Sequence, residues 1–258
     1  MCLFSPLIYQ TNKNIKQVLL RILVTDNKFN DVIQFPKKLI MNRRDILELI
    51  EEGENIHCEF KRKFSSKEKI AKEMMAFANT KGGYILFGID DDKKIIGVES
   101  EKGEAELVID VAKNYIEPPI EYKIQYKDLY GKEIVIVEVP ESDNKPHRLQ
   151  DYLNDFDITK AVVTVRVNDK SIQASKEMVR ILRAESNNMK LVKYSIGKNE
   201  KIVFDYLDKN ETISVKELSS LINISERRAS RTLVKLVRAN LLMIHTKDNG
   251  EEYFTSRQ

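Results

Sequence analysis

The feature that most limits how this chain can fold is a run from Tyr84 to Ile89 in which nearly every residue is apolar and prone to β structure. A strand with one face in water alternates apolar and polar side chains, and this run does not, which indicates burial on both faces. Gly82 and Gly83 precede the run, and the acidic residues 90–92 end it at a turn. A strand buried on both faces needs covering layers, so the run predicts a sheet with helices packed against it.

Helix and strand signals alternate along residues 42–185, which predicts a single mixed-sheet α/β domain. The Gly82-Gly83 turn is expected to use the freedom of glycine at positive φ. One helix is expected to bury Leu107, Val108 and Val111. The predicted helices cover about 42–52, 67–79, 104–115 and 175–183, and the predicted strands cover 57–60, 84–89, 95–98, 121–126, 133–139 and 162–167.

Beyond the α/β region the periodicity becomes purely helical. Ser214 is expected to cap a second helix, Asn223 to lie in a tight turn, and Ser225 to cap a third helix. An Asn249-Gly250 turn between two β-prone segments, 241–245 and 251–255, is a strong hairpin signal. Three helices followed by a hairpin predict a winged helix-turn-helix.

These changes of pattern set the predicted domain boundaries: 41–185 for the α/β domain, 186–195 for a linker and 196–258 for the winged helix. Residues 1–40 begin with an apolar stretch but have neither the basic region nor the cleavage site of a signal peptide. They are either a genuine extension with a strand at 18–24, or untranslated sequence preceding a start at Met41. In the second case they should be poorly packed or disordered.

Composition restricts the classes of function. The formal net charge of +3 comes from 43 basic and 40 acidic residues, so any nucleic-acid site must arise from local clustering of charge. Two cysteines and three histidines allow neither a disulfide framework nor a zinc site of usual spacing, which favours a reducing compartment. No apolar run approaches the roughly 20 residues of a membrane span. We therefore expect a cytoplasmic protein without membrane contact.

The third C-terminal helix is strongly basic, and one acidic residue, Glu226, opposes its cations. Its position as a recognition helix favours contact with phosphates and base edges in a major groove. A solvated charged face and a protein-docking winged helix remain alternatives. The candidate nucleic-acid-binding residues on this helix are Arg227, Arg228, Arg231, Lys235 and Arg238.

Two segments of the α/β region carry a recognisable set of motifs. They are an E-x4-E-F-K stretch that begins at Glu54, and an A-F-A-N-T-x-G-G turn that leads into G-I-D-D at residues 88–91. With weaker features at 145–147 and 165–167, these motifs resemble the AlbA-like domain of the Schlafen family over about residues 45–185. The resemblance implies an AlbA-like fold. It also implies, from the family's ribonucleases, a metal site whose carboxylates match Glu54, Glu59 and Asp91.

Such a trio would hold Mg²⁺ or Mn²⁺ through hard oxygen ligands, with Lys61 beside the scissile phosphate. The alternative is that Glu59 and Lys61 form an ion pair on the exposed face of a strand and that residues 90–92 are a polar turn. The ribonucleases also use two related lobes and a zinc site. This chain has one such domain and no matching zinc set, so an equivalent cleft would need a homodimer.

Other polar residues of the α/β region are candidates for contact with nucleic acid. His147 and Arg148 are expected in a loop that contacts phosphate or is simply exposed, and Arg166 is expected to project from its strand toward the groove beside Lys61. Related domains have been labelled ATP-binding, but the chain has no G-x-x-x-x-G-K-[ST] loop.

The sequence therefore favours a nucleic-acid-binding protein, specifically a homodimeric DNA-binding transcriptional regulator with a second nucleic-acid surface on its AlbA-like domain. The first alternative is a Mg²⁺- or Mn²⁺-dependent endoribonuclease acting on RNA. A protein-docking module or an ATP-binding regulator is the second.

Overall fold

The computed structural model describes residues 41–151, 161–186 and 196–257. The extension 1–40, its predicted strand at 18–24, and nearly all of the predicted linker lie outside these residues. The domain boundaries stay predictions.

The first part of the described chain is built on a four-stranded mixed sheet in the order β1–β2–β5–β4. Strand β1 runs parallel to β2, and the β2–β5 and β5–β4 pairs are antiparallel. Ile85, Leu86 and Phe87 of β2 are fully buried, which confirms the expected burial on both faces. The strands are β1 (Cys58–Lys61), β2 (Gly83–Phe87), β4 (Lys123–Leu129) and β5 (Lys132–Val139).

Three helices accompany the sheet: α1 (Arg43–Glu52), α2 (Lys67–Asn79) and α3 (Glu101–Asn114). A shared core joins Ile70 and Met74 of α2, Val108 and Val111 of α3, and the sheet. Leu107 is 38% exposed, so its predicted burial is wrong. It lies one residue from Val108, and about 100° of helix rotation turns its side chain away from the core.

The predicted strand at 95–98 does not form. A single bridge joins Ile89 to Ile95, and the amides of Ile96 and Gly97 both donate to the carbonyl of Gly88, at 2.8 and 2.9 Å. Gly88 has φ 94°, which turns the backbone out of the strand direction, and a Cβ at this position would lie 3.1 Å from the Gly97 backbone. A regular ladder therefore ends at Gly88.

Two short antiparallel strand pairs complete the α/β part. β3 (Ile116–Glu117) pairs with β6 (Arg148–Leu149), and β7 (Thr164–Val167) pairs with β8 (Lys170–Gln173), both antiparallel. The helix α4 (Lys176–Ser186) follows, and the hydroxyl of Ser175 accepts a hydrogen bond from the Met178 amide at 3.0 Å. A small core of valines and Leu182 joins α4 to the β7–β8 hairpin.

The C-terminal part contains α5 (Lys198–Leu207), α6 (Val215–Leu221) and α7 (Glu226–Arg238), then an antiparallel hairpin of β9 (Leu242–Thr246) and β10 (Glu252–Ser256). Ser214 and Glu217 form a capping box at α6, and Asn223 makes the following turn with φ 52°. Ser225 stands at the N-cap of α7, but its side chain makes no capping hydrogen bond. The three helices share a core with the hairpin.

The acidic cluster and a candidate nucleic-acid interface

Glu59 lies on β1 with its carboxylate held by two cations. Nη2 of Arg166 is 2.7 Å from Oε2, and Nζ of Lys61 pairs with Oε1. The Glu59–Lys61 ion pair considered from the sequence is therefore present. It is not on an exposed face, because Glu59 is buried.

Glu54 and Asp91 do not complete a metal site with Glu59. Oε1 of Glu54 accepts a hydrogen bond from the Phe60 amide at 2.8 Å. Burial raises the pKa of Glu54, the Phe60 N–H opposes that shift, and the charges of Glu59 and Asp91 add to the rise. Asp91 is exposed beyond the end of β2. Within the described ranges, no three His, Cys, Asp or Glu side chains are arranged to hold a metal ion. The donor set does not fit the predicted Mg²⁺ or Mn²⁺ site, since Arg166 and Lys61 already neutralise Glu59.

Arg166 is buried and links separate chain segments through hydrogen bonds and ion pairs, so its predicted contact with nucleic acid is wrong. Its guanidinium donates to the carbonyls of Asn55 and Cys58 at 3.0 Å, pairs with Glu59 and Glu73, and lies 5.0 Å from the centroid of the Phe77 ring. The side chain has no exposed surface. Strand β7 has α4 against one face and α2 against the other, so alternation along the strand does not bring Arg166 to solvent.

Glu73 was missed by the sequence analysis. It lies on α2, 3.2 Å from Nη1 of Arg166, and also accepts a hydrogen bond from Ser171. Burial is the main cause that raises the pKa of Glu73, with the neighbouring Glu59 adding to the shift. No local pattern marks Glu73, because its partners are 93 and 98 residues away.

The asparagine of the A-F-A-N-T motif has a structural role. Nδ2 of Asn79 donates to the carbonyls of His147 and Thr164 at 2.9 and 3.0 Å, and its Oδ1 accepts from the His147 amide at 2.7 Å. His147 is buried, and that burial lowers its pKa. Its predicted contact with phosphate is therefore wrong.

Arg148 is also unavailable for phosphate. Its side chain is 9% exposed, and its guanidinium pairs with Glu117, across the short β3–β6 ladder, and with Asp151 at 3.4 Å. The cysteine of β1 is equally enclosed: burial raises the pKa of Cys58 to about 12, so its thiol stays protonated near neutral pH.

The basic residues of α7 are placed differently. Arg227, Arg228, Arg231 and Lys235 are exposed, and Arg238 is partly exposed. With about 100° of rotation per residue, the five side chains fall within an arc of about 100° on the helix surface. The opposite side packs into the core through Ala229, Leu233 and Leu236. Among the described residues, no carboxylate lies within 4.0 Å of the cationic groups of the four exposed members.

This architecture defines an α/β domain with a buried carboxylate–arginine cluster, followed by three helices and a hairpin, with an exposed basic face on α7. Residues 54–175 match the family model described as Schlafen, AlbA_2. The chain thus contains a Schlafen AlbA_2 domain, which confirms the family resemblance seen in its motifs.

Comparison with individual proteins gives weaker similarities. An uncharacterized ATP-binding protein of Ureaplasma parvum serovar 3 is 28% identical over 195 residues, which are 71% of this chain and 46% of that protein. The chain thus spans about half the length of this curated relative. An NMR structure of the N-terminal domain of a RecG-related ATP-dependent DNA helicase from Nitrosomonas europaea aligns at TM-score 0.38 and 20% identity, covering 52% of this chain and 93% of that chain. A Corynebacterium diphtheriae protein aligns at TM-score 0.39 and 16% identity, covering 78% of this chain and 34% of that chain.

No helix within the described ranges has both the length and the apolar content required to cross a membrane.

Proposed function

We propose that this chain is a DNA-binding transcriptional regulator whose C-terminal part is a winged helix-turn-helix, with α7 as the recognition helix. The observation that carries the proposal is the exposed basic face of α7. Its cations lie on one side of a helix whose other side is fixed in a core, so they can approach a polyanion without unfolding anything.

The paired charges of the β9–β10 hairpin, which is the wing, favour phosphate contacts by α7 rather than by the wing. Lys247 at the hairpin tip pairs with Glu251 at 3.4 Å, and Asp248 accepts from Asn168 and Lys170 at 2.9 and 3.3 Å. The tip is therefore joined to the β7–β8 turn, and its charges are paired. Phosphates would be attracted more strongly to the four exposed cations of α7, which have no such partners among the described residues.

The Schlafen AlbA_2 domain favours nucleic-acid binding in general, and we propose that it adds a second contact surface. Two copies of the chain would present two α7 helices to the half-sites of a duplex operator, which is how helix-turn-helix dimers bind. The endoribonuclease alternative loses support because Arg166 and Lys61 pair with Glu59, and because no three carboxylates of the described residues are arranged to hold a metal ion.

The test is equilibrium binding of a fluorescent 30-base-pair duplex, measured by anisotropy for the full chain. Arg228→Glu/Arg231→Glu should weaken binding on the order of tenfold or more, because two attractive phosphate contacts become repulsive. The matched control is Lys102→Glu/Lys113→Glu on α3, which makes the same change of net charge at exposed sites elsewhere. Equal weakening by both pairs would refute recognition by α7, and stronger retention of single-stranded RNA than of duplex DNA would refute the choice of DNA.

A further inference from the structure

The helix α4 of the α/β part carries its own row of cations beside α7. Lys176, Arg180 and Arg183 stand at positions i, i+4 and i+7, so they share one face of the helix, and all three are exposed. None of the three is among the site residues predicted from the sequence. The position of this face relative to α7 indicates what the three cations can contact.

A hydrogen-bond network fixes Arg180 against α7. Nη1 of Arg180 is 3.0 Å from the hydroxyl of Ser230, and this hydroxyl donates to the carboxylate of Glu177. Ser230 is buried, whereas the Arg180 side chain keeps 42% of its surface exposed. The network therefore holds Nη1 of the Arg180 guanidinium in place, although much of the side chain is still exposed to solvent.

Ser230 is next to the basic face of α7. Arg227 is three residues before Ser230, and side chains at i and i+3 are neighbours on a helix surface, about 5–6 Å apart at Cβ. The guanidinium of Arg180 is thus placed at the border of the α7 cations. Glu177, the one carboxylate paired with Arg180 in the described structure, lies 3.6 Å away and is also engaged by Ser230.

We propose that Lys176 and Arg180 of α4 make phosphate contacts with the same duplex that α7 binds, so the DNA-binding surface spans both folded parts of the chain. This inference rests on the proposed function and adds its second row of contacts. The contacts go to the sugar–phosphate backbone, because an arginine anchored at one end and a flexible lysine offer charge without a shaped base-reading surface. They raise affinity for every duplex sequence alike.

The experiment is the salt dependence of duplex binding, because each phosphate contact adds about 0.9 to the slope of log K against log salt concentration. Lys176→Ala/Arg180→Ala should lower the magnitude of the slope by about 1.8 for each bound protomer, as should Arg228→Ala/Arg231→Ala on α7. Lys102→Ala/Lys113→Ala should leave it unchanged. Ser230→Ala, which removes the hydrogen bond but no charge, should also keep the slope, and circular dichroism of each variant confirms its fold.

The outcomes separate the two proposals. An unchanged slope in Lys176→Ala/Arg180→Ala with a reduced slope in the α7 variant would overturn the α4 contacts and leave DNA binding by α7 intact. Unchanged slopes in both would overturn both proposals. If the α4 variant fails to fold, Lys176→Ala decides alone: it should lower the magnitude of the slope by about 0.9 for each bound protomer, and an unchanged slope would overturn the α4 contacts.

Discussion

Glu252 should make the free energy of unfolding depend on pH, and Glu252→Gln should remove that dependence. The residue begins β10, and its Oε1 is buried with no hydrogen-bond partner among the described residues. Burial raises the pKa of Glu252 to about 7, the neighbouring Glu177 adds to the rise, and a hydrogen bond with Ser175 opposes it. The carboxylate is thus enclosed between the hairpin and the start of α4.

The sign of the effect follows from proton linkage. Below the ordinary glutamate pKa of about 4.5 the group is protonated in both the folded and the unfolded state, so it contributes no penalty. Between pH 4.5 and about 7 the unfolded state has lost the proton while the folded state keeps it, so the free energy of unfolding falls as the pH rises, and the loss is complete once the pH exceeds about 7. A rise from 4.5 to about 7 corresponds to about 3 kcal/mol; because the side chain is not fully buried, we expect about 1–2 kcal/mol.

Glu252→Gln should therefore be more stable than the wild type by about 1–2 kcal/mol at pH 8 and about equal to it at pH 4.5. The assay is urea unfolding followed by far-ultraviolet circular dichroism, since the chain has no tryptophan for fluorescence. Glu251→Gln is the matched control: Glu251 is exposed, and hydrogen bonds with Asn249 and Lys247 lower its pKa, so its loss should give no gain at pH 8. A Glu252→Gln effect that is the same at both pH values would refute the reasoning.

Three further predictions concern the α/β part. Arg166→Met should lower the free energy of unfolding by about 3–5 kcal/mol in urea unfolding, because Glu59 and Glu73 are left buried without their cation. Adding Glu73→Gln should recover part of the loss, and an Arg166→Met effect below about 1 kcal/mol would contradict this prediction. Gly83→Ala should cost about 1–3 kcal/mol by the same measurement, because a Cβ there would lie 2.4 Å from the Phe77 ring; unchanged stability would show that the ring can move aside. Neither the wild type nor Glu59→Ala should cleave tRNA with Mn²⁺, because Arg166 and Lys61 hold Glu59; cleavage by the wild type that Glu59→Ala abolishes would restore the nuclease hypothesis.

Local signals predicted several elements closely because their causes are local. The helix expected at 67–79 is α2 to the residue, and its N-cap is Ser66. The capping box of Ser214 and Glu217 needs only a spacing of three residues. The predicted role of the Gly82-Gly83 pair is only half right. Gly82 takes a positive φ of 70°, as expected for a turn. Gly83 lies within β2, and glycine is required there because the Phe77 ring approaches the backbone.

The cluster around Glu59 could not be predicted from the sequence, because its partners come from distant segments. Arg166 was read as exposed from strand alternation, but a short strand enclosed between two helices buries both of its faces. Glu73 is an ordinary helical glutamate until β7 brings a guanidinium to it. The family motifs include Asn79 and Glu59, so the sequence marks both positions. The hydrogen-bond partners of Asn79 and the ion-pair partners of Glu59 are known only from the folded structure.

The central claim is that the exposed cations of α7 contact duplex DNA. The most direct measurement is a crystal structure of the full chain with a bound duplex. It should show α7 in a major groove, with Arg228 and Arg231 within hydrogen-bonding distance, about 3 Å, of phosphate or base-edge atoms. A duplex held on another surface, with the basic face of α7 still in solvent, would contradict the account.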